Sequence, residues 1–314
     1  VQSIKLIENH KGDSKDISIY GQEGTSTTLK LAKMNLAIRG ISANLGAVAK
    51  DTFANDQHKM LKADFILANP PFNQKDWRAS NELVDDYRWD GYEIPPTSNA
   101  NYGWILHMVS KLSENGVAGF ILSNGALSSD GSEKVIRQKL IENNLVEAVI
   151  ILPMKMFYTT DISVTLWIIN KNRKERTVSY KDLARNYRNR EDKVLFMDLR
   201  KHGEPFEKKY IQFSPEKIAE IAETFHAWQE VRAETEYKDI AEYCYSATKE
   251  EIAEKDYSLA PSKYIEFTNR DENVDFELKM SQLQDDLTSL LKQEKKSKSK
   301  LLSIFEELGY EIKL

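Results

Sequence analysis

Only one cysteine, Cys244, occurs among the 314 residues, so the chain can form no internal disulfide. No apolar run approaches the roughly 20 residues that span a bilayer. These two absences exclude a membrane partner and point to the cytoplasm. The net charge of −5 gives no broad attraction for nucleic acid, so binding DNA requires a local basic surface or charges brought by a partner. Repeats at solenoid periods are absent. The opening VQSIKLIENHKGDSKD has neither the layout of a signal peptide nor a helix cap, and with Val1 in first place the expectation is that the true N-terminus lies upstream. What is present, 41% hydrophobic and 30% charged residues, is an ordinary soluble composition with apolar surface for one large core or two smaller ones.

Apolar runs of strand length recur as ISIYG (17–21), ISANLGAV (41–48), DFILA (64–68), VAGFILS (117–123), VEAVIIL (146–152) and VTLWIIN (164–170). Most are continuous rather than alternating, as in parallel strands covered on both faces. Helical patterns separate them: TSTTLKLAKMNLAIRG (25–40), WILHMVSKLSENG (104–116) and GSEKVIRQKLIENN (131–144). The alternation predicts an α/β fold, a doubly wound, mostly parallel sheet, over residues 1–172. Residues 173–270 read as a peripheral α+β region, with a charged stretch, the short strand KVLFMDL (193–199) and a glutamate-rich helix near 215–232. In a C-terminal helical segment, 271–314, Met280, Leu283, Leu287, Leu290, Leu301, Ile304 and Leu308 mark a heptad seam. This segment has two readings: a hairpin turning at KKSKSK (295–300) and packing on its own domain, or a helix docking on another subunit.

The stretch ADFILANPPFNQKDW (63–77) stops a strand at a rigid Asn-Pro-Pro-Phe corner. In an open α/β sheet, ligands bind beyond the carboxyl ends of the strands, which is where Asn69 falls. Pro70 and Pro71 fix φ and remove two N–H donors, and Pro70 keeps Asn69 out of the helical region. The corner therefore offers acceptors on a stiff frame, which suits a substrate presenting an N–H₂ group, such as the exocyclic amine of adenine. If the Asn69 side-chain oxygen and the Pro70 carbonyl each accept one hydrogen, the nitrogen is drawn towards tetrahedral geometry. Its lone pair then localises and attacks an electrophilic methyl. Phe72 gives the base a face to stack on, a contact worth about 1–3 kcal/mol. The bland alternative is a Pro-Pro turn that merely closes a strand.

A base paired in a duplex has to be flipped out to reach such a corner, at a cost of about a few kcal/mol. Phe157 and Tyr158, in the loop before the last strand, are candidates for covering its other face, with ordinary packing as the alternative. The long aromatic, Pro-rich loop WDGYEIPPTSNANYGW (89–104) has the length of a functional loop. Glu23, at the end of IYGQE, is placed to take ribose hydroxyls of a cofactor, and Asp51 its adenine end; the alternative for Asp51 is a helix cap or a surface acid.

These blocks, GQEGTSTTLKLAKMNLAIRGI, DFILANPPFN, RWDGYEIPPTSNANYGWILHMVSKLSENGVAGFILSNGAL, LPMKMFYTTDISVTLWIINK and FEELGYEI, together resemble the methylation subunit of type I restriction-modification systems, an S-adenosylmethionine-dependent adenine-N6 DNA methyltransferase. The resemblance covers almost the whole chain. It implies the methyltransferase sheet with a C-terminal helical extension, Asn69, Pro70, Pro71 and Phe72 as the catalytic motif, and Glu23, Asp51 and Asn69 as cofactor contacts. It further implies S-adenosylmethionine as cofactor and no metal. The partners it implies are DNA, a specificity subunit that reads it and receives the C-terminal helix, a restriction subunit and a second copy of the methylation subunit. The corner alone also fits protein glutamine methyltransferases, which methylate an amide N–H₂. One departure is that the family's N-terminal helical domain and the strand with its glycine-rich cofactor loop, which precede the GQE block, do not occur. The strands 17–21 and 64–68 thereby lose the neighbour they flank, and the chain reads as a C-terminal fragment. The alternative to the catalytic reading is accordingly a non-catalytic assembly module. A fragment of this kind is expected to bind cofactor at least about tenfold more weakly than its parent, since one charge-assisted hydrogen bond is worth about 1.5–3 kcal/mol.

Overall fold

The structure, a computed structural model, describes Ile4 and residues 17–158, 160–180, 183–207, 209–232, 236–267 and 276–307. The opening VQSIKLIENHKGDSKD apart from Ile4, together with Leu308 and the end of FEELGYEI, lies outside the described residues. The centre is a six-stranded sheet in the order β1-β2-β4-β3-β7-β10. Its strands are β1 (Ala63–Ala68), β2 (Leu112–Ser123), β3 (Val146–Ile151), β4 (Val164–Asn170), β7 (Lys193–Asp198) and β10 (Cys244–Thr248). The pairs β1–β2 and β3–β7 are parallel, β4 is antiparallel to β2 and β3, and β10 is antiparallel to β7. Thus β1, β2, β3 and β7 run one way, and β4 and β10 the other. Two further hairpins, β5–β6 (Arg176–Tyr180, Leu183–Tyr187) and β8–β9 (Glu204–Phe206, Tyr210–Gln212), stand apart from this sheet.

The continuous apolar runs have the expected cause, for β3 is buried at every position. Val149 and Ile151 face a core with Tyr102, Ile105, Leu106, Phe120 and Trp167, while Ala148 and Ile150 face a second one with Leu195, Met197 and Trp228. The helices are α1 (Ser26–Ile38, capped by Thr25), α2 (Asn101–Lys111), α3 (Ser132–Glu142), α4 (Pro215–Gln229, capped by Ser214) and α5 (Lys249–Glu254); α2, α3 and α5 add buried residues to the first core and α4 to the second, whereas α1 buries only Leu29. None of the helices among the described residues is long and apolar enough to cross a membrane.

Four expectations are corrected. The runs 17–21 and 41–48 form no extended strands, only the parallel bridge Tyr20↔Asn44. The Asn44 side chain accepts from Gly46 N at 3.1 Å and Gly46 sits at φ 80°, so a turn ends the second run almost where it begins. The helix expected over 104–116 starts earlier and stops at Lys111, because Leu112 already opens β2. Gly116 lies in that strand, where a Cβ would come within 2.8 Å of the Ala63 carbonyl. The register shift between Ala63 and Phe65 therefore depends on a glycine there.

The region 173–270 contributes β7 and β10 to the central sheet, and residues up to Glu266 form one compact unit. The second unit holds α6, Phe276–Glu307, a single helix that runs through 295–300 without the turn that the hairpin reading required. KKSKSK contains neither Gly nor Pro, and lysine is a good helix former. The seam residues Leu283, Leu287, Leu290 and Leu301 are exposed along it.

Candidate active site

The end of β1 points at a cavity of about 460 Å³ lined by Glu23, Asn69 and Pro70, with Thr52, Trp104 and His107 among its other walls. Along β1 the lining residues are consecutive, Phe65 to Pro70, so the cavity follows the edge of the strand and not one of its faces. Across it stand Ser18 and Tyr20–Glu23. Among the described residues β1 pairs only with β2, and Phe65 and Leu67 are 80% and 73% exposed. The two segments that border the cavity make no strand pair with each other among the described residues.

The GQE turn is built to present Glu23. Gln22 Nε2 donates to the carbonyls of Lys50 and Asn55 at 3.0 and 2.8 Å, and its Oε1 accepts from Gln57 N at 3.0 Å. Lys50 N donates to the Glu23 carbonyl, and His58 Nε2 donates to that of Gly21 at 2.8 Å. The Glu23 carboxylate makes no hydrogen bond or ion pair with the described residues and is half-buried at the cavity wall. A half-buried acceptor without a partner is suited to diol donors such as ribose hydroxyls, and the cavity falls within the roughly 300–1,000 Å³ of small-molecule sites.

One wall of the cavity, with Asp56, His58, His107 and Lys111, belongs to a polar layer that sequence reasoning missed. Asp56 pairs with Lys111 at 2.5 Å and accepts from Tyr87 Oη and His58 N, both at 2.9 Å. Burial alone would raise its carboxyl, but the hydrogen bonds from Lys111, His58 N and Tyr87 hold it at about 2. Arg88 is bidentate to Asp86 and donates to the carbonyls of Thr52 and Phe53 at 3.2 and 2.7 Å, tying the long loop to the segment after Asp51. The available signal was the spacing Trp104, His107, Lys111, which sets polar groups on one face of an otherwise apolar helix.

His107 is pushed down to about 4, first by burial and then by the charge of Arg88, whose Nη1 donates to its Nδ1 at 3.4 Å. A base whose folded pKa lies below its unfolded value of about 6.5 binds fewer protons in the folded state, so stability rises with pH across that window. Acidification from pH 6.5 to 4 is expected to cost about 2–3 kcal/mol, and His107→Gln to remove that slope while leaving the separate loss from Asp56 below about pH 4. Chemical denaturation at half-unit pH steps measures it; equal slopes in both proteins would refute the assignment.

Of the other residues singled out from sequence, Asp51 acts as a local cap. Its Oδ1 accepts from Phe53 N at 2.9 Å and Ala54 N at 2.8 Å, and its neighbour Thr52, not Asp51, lines the cavity. Pro71 is exposed and Phe72 half-buried, next to the lining and outside it. Phe157 and Tyr158 lie between β3 and β4, two strands removed from β1. Tyr158 is 69% exposed and meets Tyr210 of β9 edge-on at 4.7 Å.

A mixed α/β sheet with this corner on its carboxyl rim has the fold of the S-adenosylmethionine-dependent methyltransferases. The profile of the N-6 DNA Methylase family matches residues 1–273, and the chain belongs to that family. It is 39% identical to the type I restriction enzyme HindI methylase subunit of Haemophilus influenzae, over 99% of this chain and 66% of that protein. It is 32% identical to the MjaIX methylase subunit of Methanocaldococcus jannaschii, over 99% of this chain and 53% of that one. The chain thus spans between about half and two thirds of the length of these relatives. Among solved structures, the type I restriction-modification methyltransferase subunit from Streptococcus thermophilus superposes with a TM-score of 0.65 at 28% identity, over 79% of this chain and 48% of that one.

Proposed function

We propose that this chain carries the target-binding part of a site-specific DNA adenine-N6 methyltransferase subunit of a type I restriction-modification complex. One observation carries the reading: Asn69 and Pro70, the start of an acceptor-rich corner whose prolines carry no N–H, open on the same cavity as the carboxylate of Glu23, which has no partner among the described residues. S-adenosylmethionine, when bound, supplies the electrophilic methyl group. Glu23 holds its ribose, and the segment at Asp51–Phe53, clamped by Arg88, borders its adenine end. At the corner, the Asn69 side-chain oxygen and the Pro70 carbonyl accept the two amine hydrogens of adenine and localise the nitrogen lone pair. The surplus proton leaves after transfer, so no general base is needed before the attack. Phe72 stacks on the flipped base, and Phe157 or Tyr158 closes over it from the β3–β4 loop.

DNA recognition falls to a specificity subunit, which suits a chain with a net charge of −5. The exposed seam of α6 is the surface for that subunit, and a restriction subunit and a second methylation subunit complete the complex. The relatives' names and the family match support this assignment over the glutamine-methylating alternative. The test is transfer of labelled methyl by the full-length subunit, assembled with its specificity partner, to duplex DNA and to a glutamine peptide. N6-methyladenine in the DNA is expected. Label in the peptide alone would replace this reading with the amide one, and no transfer to either would leave an assembly module.

A further inference from the structure

Two prolines stiffen the corner, yet they do not determine where it points: that depends on how the chain turns after Phe72. Asn73 makes the turn in the left-handed region, at φ 51°. Asparagine tolerates this conformation better than other residues with a Cβ, but the turn still needs to be held. It is held from a distance. Asn73 N donates to Asn101 Oδ1 at 3.0 Å, and Asn101 Nδ2 donates back to Asn73 Oδ1 at 2.9 Å. Ser123 Oγ donates to the same Asn73 oxygen at 2.8 Å. Asn101 is 1% exposed and opens α2; Ser123 is 6% exposed and ends β2. The hydrogen bonds leave no freedom in amide orientation, because Asn73 Oδ1 receives three donors, the third being Asn99 Nδ2 at 3.5 Å, and Asn101 Oδ1 receives the Asn73 N–H. The corner follows an edge strand of the described sheet, and the segment just after Asn73 is tied to the loop ahead of α2 by Ala100 N and the Gln74 carbonyl at 2.9 Å, so the bracket is what fixes the turn at Asn73 itself.

We infer that Asn101 is a positioning residue for methyl transfer, which acts through Asn73 to aim the Asn69 side chain and the Pro70 carbonyl. It does not touch the substrate. The inference rests on the proposed function, in which both acceptors have to meet one amine at once; a displacement of about 1 Å at such a site can cost about 100-fold in rate.

The assembled full-length subunit tests the role. Asn101→Ala is expected to lower kcat by about 10–100-fold, with the KM for DNA and the cofactor Kd within about threefold and the melting temperature within about 3 °C. Asn73→Ala is expected to behave alike, and the double variant to lose no more than the worse single one, because the pair acts as a unit. A kcat within threefold of wild type, or losses that multiply, would overturn the inference. If Asn101→Ala unfolds the protein, Ser123→Ala takes its place, with a kcat loss of at least about threefold expected and an unchanged kcat overturning the proposal. Hydrogen exchange on this chain, without DNA, separates the bracket from the activity: residues 69–77 are expected to exchange faster in Asn101→Ala. Unchanged exchange there defeats the inference and leaves the methylation reading standing. A wild-type protein that transfers no methyl to DNA defeats both.

Discussion

Alanine at Asn69 in the full-length subunit is expected to lower the rate of methyl transfer by about 10²–10³-fold, the usual effect of deleting one group that stabilises a transition state. The reason is local. Pro70 and Pro71 provide carbonyls but no N–H, so with the Asn69 amide gone only the Pro70 carbonyl remains to hold the amine, and one acceptor cannot draw both hydrogens out of the ring plane. The loss belongs in kcat, because ground-state adenine gains little from that geometry. Cofactor affinity should stay within about threefold, since Glu23 and Thr52, on segments of their own in the cavity wall, keep their places when Asn69 is changed. Asn69→Asp keeps an oxygen acceptor and should retain part of the activity. Single-turnover transfer of labelled methyl, with cofactor titrated separately, makes the measurement; a rate within threefold of wild type would remove Asn69 from the chemistry.

The second large effect lies at the opposite end of β3. Glu147, 0% exposed, pairs with Arg190 Nε at 2.8 Å and accepts from Asn170 Nδ2 at 2.7 Å. It is the extra residue in the register shift between Val146 and Ala148, which turns its side chain inward beside two guanidinium groups. Arg173, also buried, donates to the Val146 carbonyl at 2.7 Å. Burial pulls its pKa down to about 10, with Glu147 acting in the other direction. Glu147→Ala removes the buried anion from this cluster and is expected to destabilise the fold by about 3–5 kcal/mol. For a unit of this size that lowers the melting temperature by roughly 10 °C. Replacing Glu147 and Arg190 together by leucine and methionine should cost less than the single change, because only Arg173 then lacks its carboxylate, where Glu147→Ala leaves both guanidinium groups without it. Thermal and urea denaturation of the three proteins decide the matter, and a loss under about 1 kcal/mol for Glu147→Ala would show that the cluster finds another counter-charge. Methyl transfer at a temperature where the variant is folded should be untouched, as the corner sits on the other rim of the sheet.

Sequence alone determined what depends on neighbours along the chain. The runs 64–68, 117–123, 146–152 and 164–170 became strands, 146–151 of them covered on both faces as an unbroken apolar stretch requires, and the helix after Thr25 began where a capping hydroxyl allowed it. The Asn69 corner was legible for the same reason: two prolines restrict their own and the preceding backbone wherever they occur. Glu23 was singled out by its place after the apolar run 17–21, and the structure sets it on the wall of one cavity with Asn69. Tertiary structure decided everything that needed a distant partner. β4 lies antiparallel between β2 and β3, and β7 is an inner strand, because the pairing of apolar edges is a choice among faces that periodicity does not rank. The Asp51 carboxylate, by contrast, is taken by N–H groups two and three residues on, the local cap that the sequence offered as its alternative. Asn101 and Ser123, polar residues with no local signal, meet Asn73 across 28 and 50 positions of sequence, and only the packing of α2 and β2 around the end of β1 brings their hydrogen bonds to the turn.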